Sequence, residues 1–502
     1  MPQLSVAKRI DLRTFDRRTE RRRQSHQASL IFQGVVVLVL WLYVSSSVDG
    51  QRPWDQLYRL AWAGNLLLIA ELVLLRRITG RLFSPVVLYF LFLWLFTWGQ
   101  LALFAFGVSP DGADVLNREQ ATSVVTAGKY FLYAYWACCL GAVVANWVFP
   151  QRRGLRRSSP SAVDWESAIR TVGYLSIAIG IVPFAIINFN NFRVIFAGGY
   201  SAYYVEGARL DSPLLSVAYL LIVGLVLIGI AGSLTSRRAA IIGILAIAAV
   251  RFAAGDRGEG MIYLVTALLI WTEHGRGVRR RSSVAIVGIG ALALLLIPAI
   301  GLLRQSYGTG AQDFDVFRDN PVSVTLSTVG GTLFPLVKVV ELVPGAHEYA
   351  LGSSYVGGLL AAVPEPVRSA ATSALGVDTD MRSPGVWLQT TLNMSYGPGF
   401  TPFAESYLNF GSVGGCIAMA LYGGIFLLLL RMPTSTDSSR TIRVVLVLAT
   451  FALVGFSVRG SINSVFPYYG KYVVVPAFVI LLVAQRSRLR RARAAAGESE
   501  DE

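Results

Sequence analysis

Apolar residues along the chain gather into stretches of about twenty, joined by short polar links, and a long mixed segment intervenes only once, between Arg304 and Glu405. A helix needs about 20 such residues to cross a hydrocarbon layer ~30 Å thick. The pattern therefore predicts an all-α, polytopic integral membrane protein with about twelve transmembrane helices. These run approximately over 29–46, 58–75, 82–106, 126–149, 167–189, 212–234, 239–254, 259–272, 283–303, 406–430, 443–458 and 470–485.

The links alternate in charge, and the alternation orients the helices. Basic residues concentrate on the cytoplasmic side of a membrane protein. Every second link carries them: Arg76, Arg77 and Arg81; Arg152, Arg153, Arg156 and Arg157; Arg237 and Arg238; Arg276 and Arg279 to Arg281; Arg431, Arg440 and Arg443; Arg486 to Arg493. The opposite links, such as Val48–Leu57 and Gly107–Ser123, hold acids and few Arg. Both termini are thus expected in the cytoplasm. The first span follows Arg17, Arg18 and Arg21 to Arg23 with no small-residue cleavage site after it, which reads as an anchor. The resulting layout is a basic cytoplasmic tail (1–28), transmembrane helices one to nine (29–303), an extracytoplasmic loop (304–405), helices ten to twelve (406–485) and a second cytoplasmic tail (486–502).

Two places depart from plain spanning helices. The seventh and eighth spans are short and are joined by Gly255-Asp256-Arg257-Gly258-Glu259-Gly260, which places that turn below the outer lipid surface in a protein-lined or wet cavity. Within the large loop, Val322–Val343 is apolar yet contains Gly330, Gly331, Pro335, Lys338 and Glu341, a composition suited to an interfacial or re-entrant helix. A second short apolar piece, Tyr355–Val363, ends at Pro364-Glu365-Pro366. Gly and Pro then crowd Ser383–Pro402, so turns carry the chain back to the membrane.

Composition agrees with a lipid solvent: of 502 residues 54% are hydrophobic and 15% charged, and mean hydropathy is +0.54. The net charge of +15 lies in the links and tails, where it orients spans, so nucleic acid is excluded as a partner. Cys138, Cys139 and Cys416 fall inside apolar stretches, and His26, His274 and His347 are scattered, so no disulfide framework or metal site is expected. Phosphate-binding loops, dinucleotide fingerprints and Ser/His/Asp orderings are missing from the sequence as well.

Charge at membrane depth is costly and marks functional candidates. Arg257 is the foremost. Arg251 lies near the outer end of the seventh span, Arg304 closes the ninth and Arg459 the eleventh, so four guanidinium groups meet at the outer level if the spans pack together. Arg is permanently charged and grips phosphate oxygens bidentately, which suits a diphosphate clamp. The competing assignment is that each snorkels to the interface or pairs with Asp256, Glu259 or Glu405. Glu405, at the start of the tenth span, is a candidate general base towards a hydroxyl; alternatively it caps that helix or neutralises an Arg. His347 is an alternative base and Tyr407 a candidate sugar contact, although outer-side tyrosines also form ordinary interfacial belts.

Gly255-Asp256-Arg257-Gly258, then Gly352-Ser353-Ser354-Tyr355 with a following Val363-Pro364, then Pro402-Phe403-Ala404-Glu405-Ser406-Tyr407-Leu408-Asn409-Phe410-Gly411-Ser412-Val413-Gly414-Gly415 together resemble the O-antigen polymerase family, the Wzy-type oligosaccharide repeat-unit polymerases. The strongest piece is the Glu-x-Tyr-x-Asn-Phe-Gly run. The resemblance implies a membrane glycosyltransferase of GT-C type in the bacterial cytoplasmic membrane, joining undecaprenyl-diphosphate-linked oligosaccharides at its outer face. It implies Arg257 and Arg304 as functional cations, no cofactor, and a chain-length regulator as a partner besides lipid and substrate. In the family the proline of the short loop helix is often followed by Arg, whereas here Glu365 follows and Arg368 comes later. A glycan ligase shares the same chemistry. A flippase or transporter of lipid-linked or anionic substrates, and a non-catalytic scaffold, are the alternatives from other classes.

Overall fold

The computed structural model describes residues 24, 27–45, 52–108, 121–150, 165–205, 213–254, 256–274, 321–363, 365–375, 383–394, 399–433 and 440–497. Every regular element among them is helical. The first half comprises α1 (Gln27–Ser45), α2 (Pro53–Thr79), α3 (Pro85–Phe104), α4 (Ala121–Val148), α5 (Trp165–Val205), α6 (Pro213–Ala218), α7 (Leu220–Ala231), α8 (Leu234–Ala253) and α9 (Arg257–His274). The loop holds α10 (Pro321–Val329), α11 (Leu333–Leu342), α12 (Ser353–Leu360), α13 (Glu365–Ala374) and α14 (Pro384–Thr391), followed by α15 (Pro402–Leu430), α16 (Arg440–Val454), α17 (Val465–Tyr469) and α18 (Val475–Gly497).

Helix starts follow local chemistry. Ser84 accepts the Val87 N–H at 3.3 Å and Thr401 accepts the Ala404 N–H at 3.0 Å. In each case the next residue is proline, whose missing N–H costs nothing in a first turn.

Ten helical stretches among the described residues are long and apolar enough to cross a membrane. Nine coincide with expected spans, and the differences from the expected twelve have physical reasons. The expected seventh and eighth spans are present as α8 and α9, of 20 and 18 residues, but both carry charge near their ends: Arg237, Arg238 and Arg251 in the first, Arg257, Glu259 and Glu273 in the second. The expected ninth span, 283–303, lies outside the described residues. The tenth candidate is Thr325–Leu342, where an interfacial or re-entrant helix was expected. There, α10 and α11 are joined by a tight turn at Gly330–Thr332 and pack on α3, α4 and α15. Gln100 Nε2 donates to Ser327 O at 2.9 Å and Thr332 Oγ1 to Phe96 O at 2.5 Å, so this stretch travels along α3 towards its middle.

The helices form two groups. In one, α2, α3, α4 and α15 pack together under the loop helices; in the other, α5, α7, α8, α9 and α18 associate. α16 touches both, lying against α7 and α9 on one side and α3 and α15 on the other. Within each group main chains meet closely. A Cβ on Gly141 of α4 would overlap the Ala420 carbonyl of α15, and one on Gly423 would overlap the Cys138 carbonyl. Small residues at such crossings let backbones approach where the lipid gives no hydrophobic drive for association. Between α5 and α7 the same holds for Gly180 against the Leu221 amide and Gly224 against the Gly173 carbonyl.

Two of the basic links meet at the end of α9. Glu273, at the end of α9, takes Arg81 Nη1 at 3.1 Å on one carboxylate oxygen and Arg440 Nη2 on the other. Arg431 similarly reaches Asn146 Oδ1 at 3.0 Å and Phe149 O at 2.8 Å. Substituting Gly423→Ala should force α4 and α15 apart and cost ~1–3 kcal/mol, the range for overpacking. Thermal unfolding in detergent checks this, since an unshifted Tm would mean that the two helices separate freely.

Candidate functional site

The site begins with a break in a helix. Gly411 interrupts α15 with φ 67 and ψ −158, a left-handed backbone that side chains with a Cβ rarely adopt. In an unbroken helix the carbonyls of Leu408 and Asn409 would receive the N–H groups four residues on. Here they receive the amides of Ala350 at 3.0 Å and Leu351 at 3.1 Å, from the loop just before α12. The Asn409 side chain continues the join, accepting Gly352 N–H on Oδ1 at 2.8 Å and donating through Nδ2 to Ser354 Oγ at 2.8 Å.

Glu405, one turn earlier on the same face as Asn409, completes this junction. Its side chain is 0% exposed. Oε1 accepts the Ser354 hydroxyl at 2.8 Å and Oε2 accepts the Ile462 amide. The carboxylate thus fastens α15 to α12 and to the turn before α17. That turn also presses on α12, since a Cβ on Gly358 would overlap Asn463 Cα. Beside it, the Tyr355 hydroxyl is buried with no hydrogen-bond partner, and burial followed by the field of Glu405 holds this phenol above its usual range.

A second cluster lies at the α8–α9 hairpin. Asp256 Oδ1 accepts the Glu259 N–H at 3.2 Å, capping α9, and Arg257 is the first residue of that helix. Arg251 Nε is 3.1 Å from Glu259 Oε2, paired by charge without an aligned N–H. Tyr219 donates to Oε1 of the same carboxylate at 2.7 Å and Tyr263 to Oε2 at 3.2 Å. The Arg251 guanidinium also sits 5.8 Å from the centre of the Phe184 ring.

Residues 455–474 run from one cluster to the other. This stretch is broken into a 3-10 turn at Gly455–Arg459, another at Ile462–Ser464, α17, and a wide turn at Gly470–Val474. Ser457 is fixed by Tyr89 at 2.7 Å and Tyr422 at 3.4 Å, Ile462 by Glu405, and the rings of Tyr468 and Tyr472 each lie 5.3 Å from that of Tyr219. Arg459 stands exposed between the first two anchors.

The candidates from the sequence are therefore distributed as follows. Arg251 is buried against Glu259, Arg459 is exposed on the anchored turn, and Glu405 is enclosed. Tyr407 is half-buried with its ring 5.0 Å from Tyr130, and His347 is half-buried with its ring 5.4 Å from Trp387. Arg257 is described only as the start of α9, and Arg304 lies outside the described residues. Sequence reasoning assigned no role to Ser354, Asn409, Tyr219 or Tyr263. The four-residue spacing of Glu405 and Asn409, with a glycine inside a long apolar helix, was the signal for Asn409.

A family model, O-antigen polysaccharide polymerase Wzy, matches residues 36–489. The chain belongs to the O-antigen polysaccharide polymerase family. It is accordingly a membrane protein of polysaccharide biosynthesis, and its match spans both groups of helices and the loop between them. No curated protein and no solved structure matches it. In this O-antigen polymerase, breaking the buried pair by Glu259→Ala strands Arg251 and should destabilise the fold by ~3–5 kcal/mol. Replacing both partners with apolar residues should recover much of that loss, read as Tm of the purified variants; equal losses in the single and double variants would show that the pair is not the source.

Proposed function

We propose that the protein polymerises undecaprenyl-diphosphate-linked oligosaccharide repeat units at the outer face of the bacterial cytoplasmic membrane, as a glycosyltransferase of GT-C type with both termini inside. The observation that carries this reading is the family match over 36–489. In the reaction an acceptor sugar hydroxyl attacks the anomeric carbon of the growing glycan. The bond from that carbon to the lipid diphosphate breaks, the hydroxyl proton passes to a base, and the diphosphate leaves with new negative charge. A single displacement of this kind inverts the anomeric configuration.

Guanidinium groups held in a water-poor site stabilise that charge as it develops, and neither metal nor nucleotide is needed for it. Arg257 is the foremost such group, with Arg304 as its partner from the loop boundary. Support for Arg257 comes from its setting. It opens a helix, where amides and dipole favour an anion, and the neighbouring Glu259 carboxylate is engaged by Arg251 and two phenols. Arg459 is a further contact, exposed beside the junction. Of the two bases that the sequence offers, Glu405 is fully enclosed and His347 is half-buried against Trp387.

The test is incubation of purified protein with a defined lipid-linked oligosaccharide and detection of elongated product by mass. Arg257→Ala should lower kcat by about 10²–10³-fold, the usual effect of removing one group that stabilises developing charge, with folded yield retained. Unchanged elongation would remove Arg257 from the site. Movement of substrate across vesicles without new glycosidic bonds would overturn the polymerase reading itself.

A further inference from the structure

Both oxygens of the Glu405 carboxylate are occupied by donors from elements other than its own helix, and its side chain has no exposure. A general base has to reach the proton it removes, at about 2.6–3.2 Å, in some substrate pose. A carboxylate surrounded by a hydroxyl and a main-chain amide is arranged instead to hold those groups in place. What it holds is specific. Ile462 lies three residues beyond Arg459, and Ser457, two residues before Arg459, is held by Tyr89 and Tyr422. Arg459 is exposed at the crest of this doubly anchored turn, beside the seam where α12 docks.

We propose that Glu405 is a positioning residue: by binding the Ile462 amide and the Ser354 hydroxyl it sets the turn that presents Arg459 to the phosphate oxygens of the lipid-linked substrate. This deepens the polymerase reading and rests on it. Gln at position 405 preserves the arrangement, because its carbonyl oxygen accepts the Ile462 N–H and its amide donates to Ser354 Oγ, whose hydroxyl rotates. Ala preserves none of it.

The experiment measures elongation of a lipid-diphosphate-linked oligosaccharide by wild type, Glu405→Gln, Glu405→Ala, Arg459→Ala and the Glu405→Ala/Arg459→Ala double variant, each first checked for folded yield in detergent. Positioning predicts that Glu405→Gln keeps kcat within about tenfold of wild type with the pH profile unmoved, whereas loss of a general base costs about 10²–10⁴-fold. It further predicts that Glu405→Ala and Arg459→Ala both raise KM, and that the double variant is no worse than the poorer single, as for two residues acting through one device. Should Glu405→Ala fail to fold, Glu405→Gln and Arg459→Ala still decide the matter. A Glu405→Gln enzyme that folds and loses activity by 10²-fold or more, or that loses a limb of the pH profile, overturns the proposal in favour of a base. Fully additive losses overturn it as well, because Arg459 would then act independently. If wild type itself makes no longer product, the polymerase reading fails, an outcome distinct from either of these.

Discussion

Inside a membrane, a main-chain carbonyl that loses its helical partner has no water to turn to. The architecture around the candidate site follows from that constraint. Gly411 breaks α15, and the carbonyls it releases are taken by Ala350 and Leu351, so the break and the docking of the loop are one feature. Asn409 and Glu405 extend the same logic with side chains, bridging α15 to the start of α12 and to the turn at Ile462. Four positions of the Glu-x-Tyr-x-Asn-Phe-Gly run are thereby explained. Glu and Asn face one way and bind the loop, Tyr407 faces Tyr130 and Tyr349, and Gly permits the bend.

Charge obeys a parallel rule. Glu259 is held by a cation and two phenols, and Glu273 by two cations from different links. A carboxylate held among donors in this way costs far less to bury than a lone ion. Glu405 differs from both in having neutral donors alone among its described contacts, which suits a joint between segments better than a counter-charge.

Much of this was legible in the chain. Lengths of apolar runs located nine of the ten candidate spans among the described residues, because lipid thickness acts on local sequence. The motif likeness pointed to the correct family. What local sequence could not convey was partnership. Nothing near Glu405 in the chain announces Ser354 or Ile462, which lie 51 and 57 residues away, and nothing near Glu259 announces Tyr219. Val322–Val343 was ambiguous for a related reason, since its polar and glycine positions read as surface until α3 supplies Phe96 and Gln100 as partners.

The glycine contacts between α4 and α15, and between α5 and α7, bear on how such a molecule could move. Where two main chains touch, a shift of one residue along the seam would drive a carbonyl into a neighbouring side chain, so sliding is blocked and each pair turns as a unit. α16, which touches both groups, then joins two pairs whose internal registers are each locked by main-chain contact.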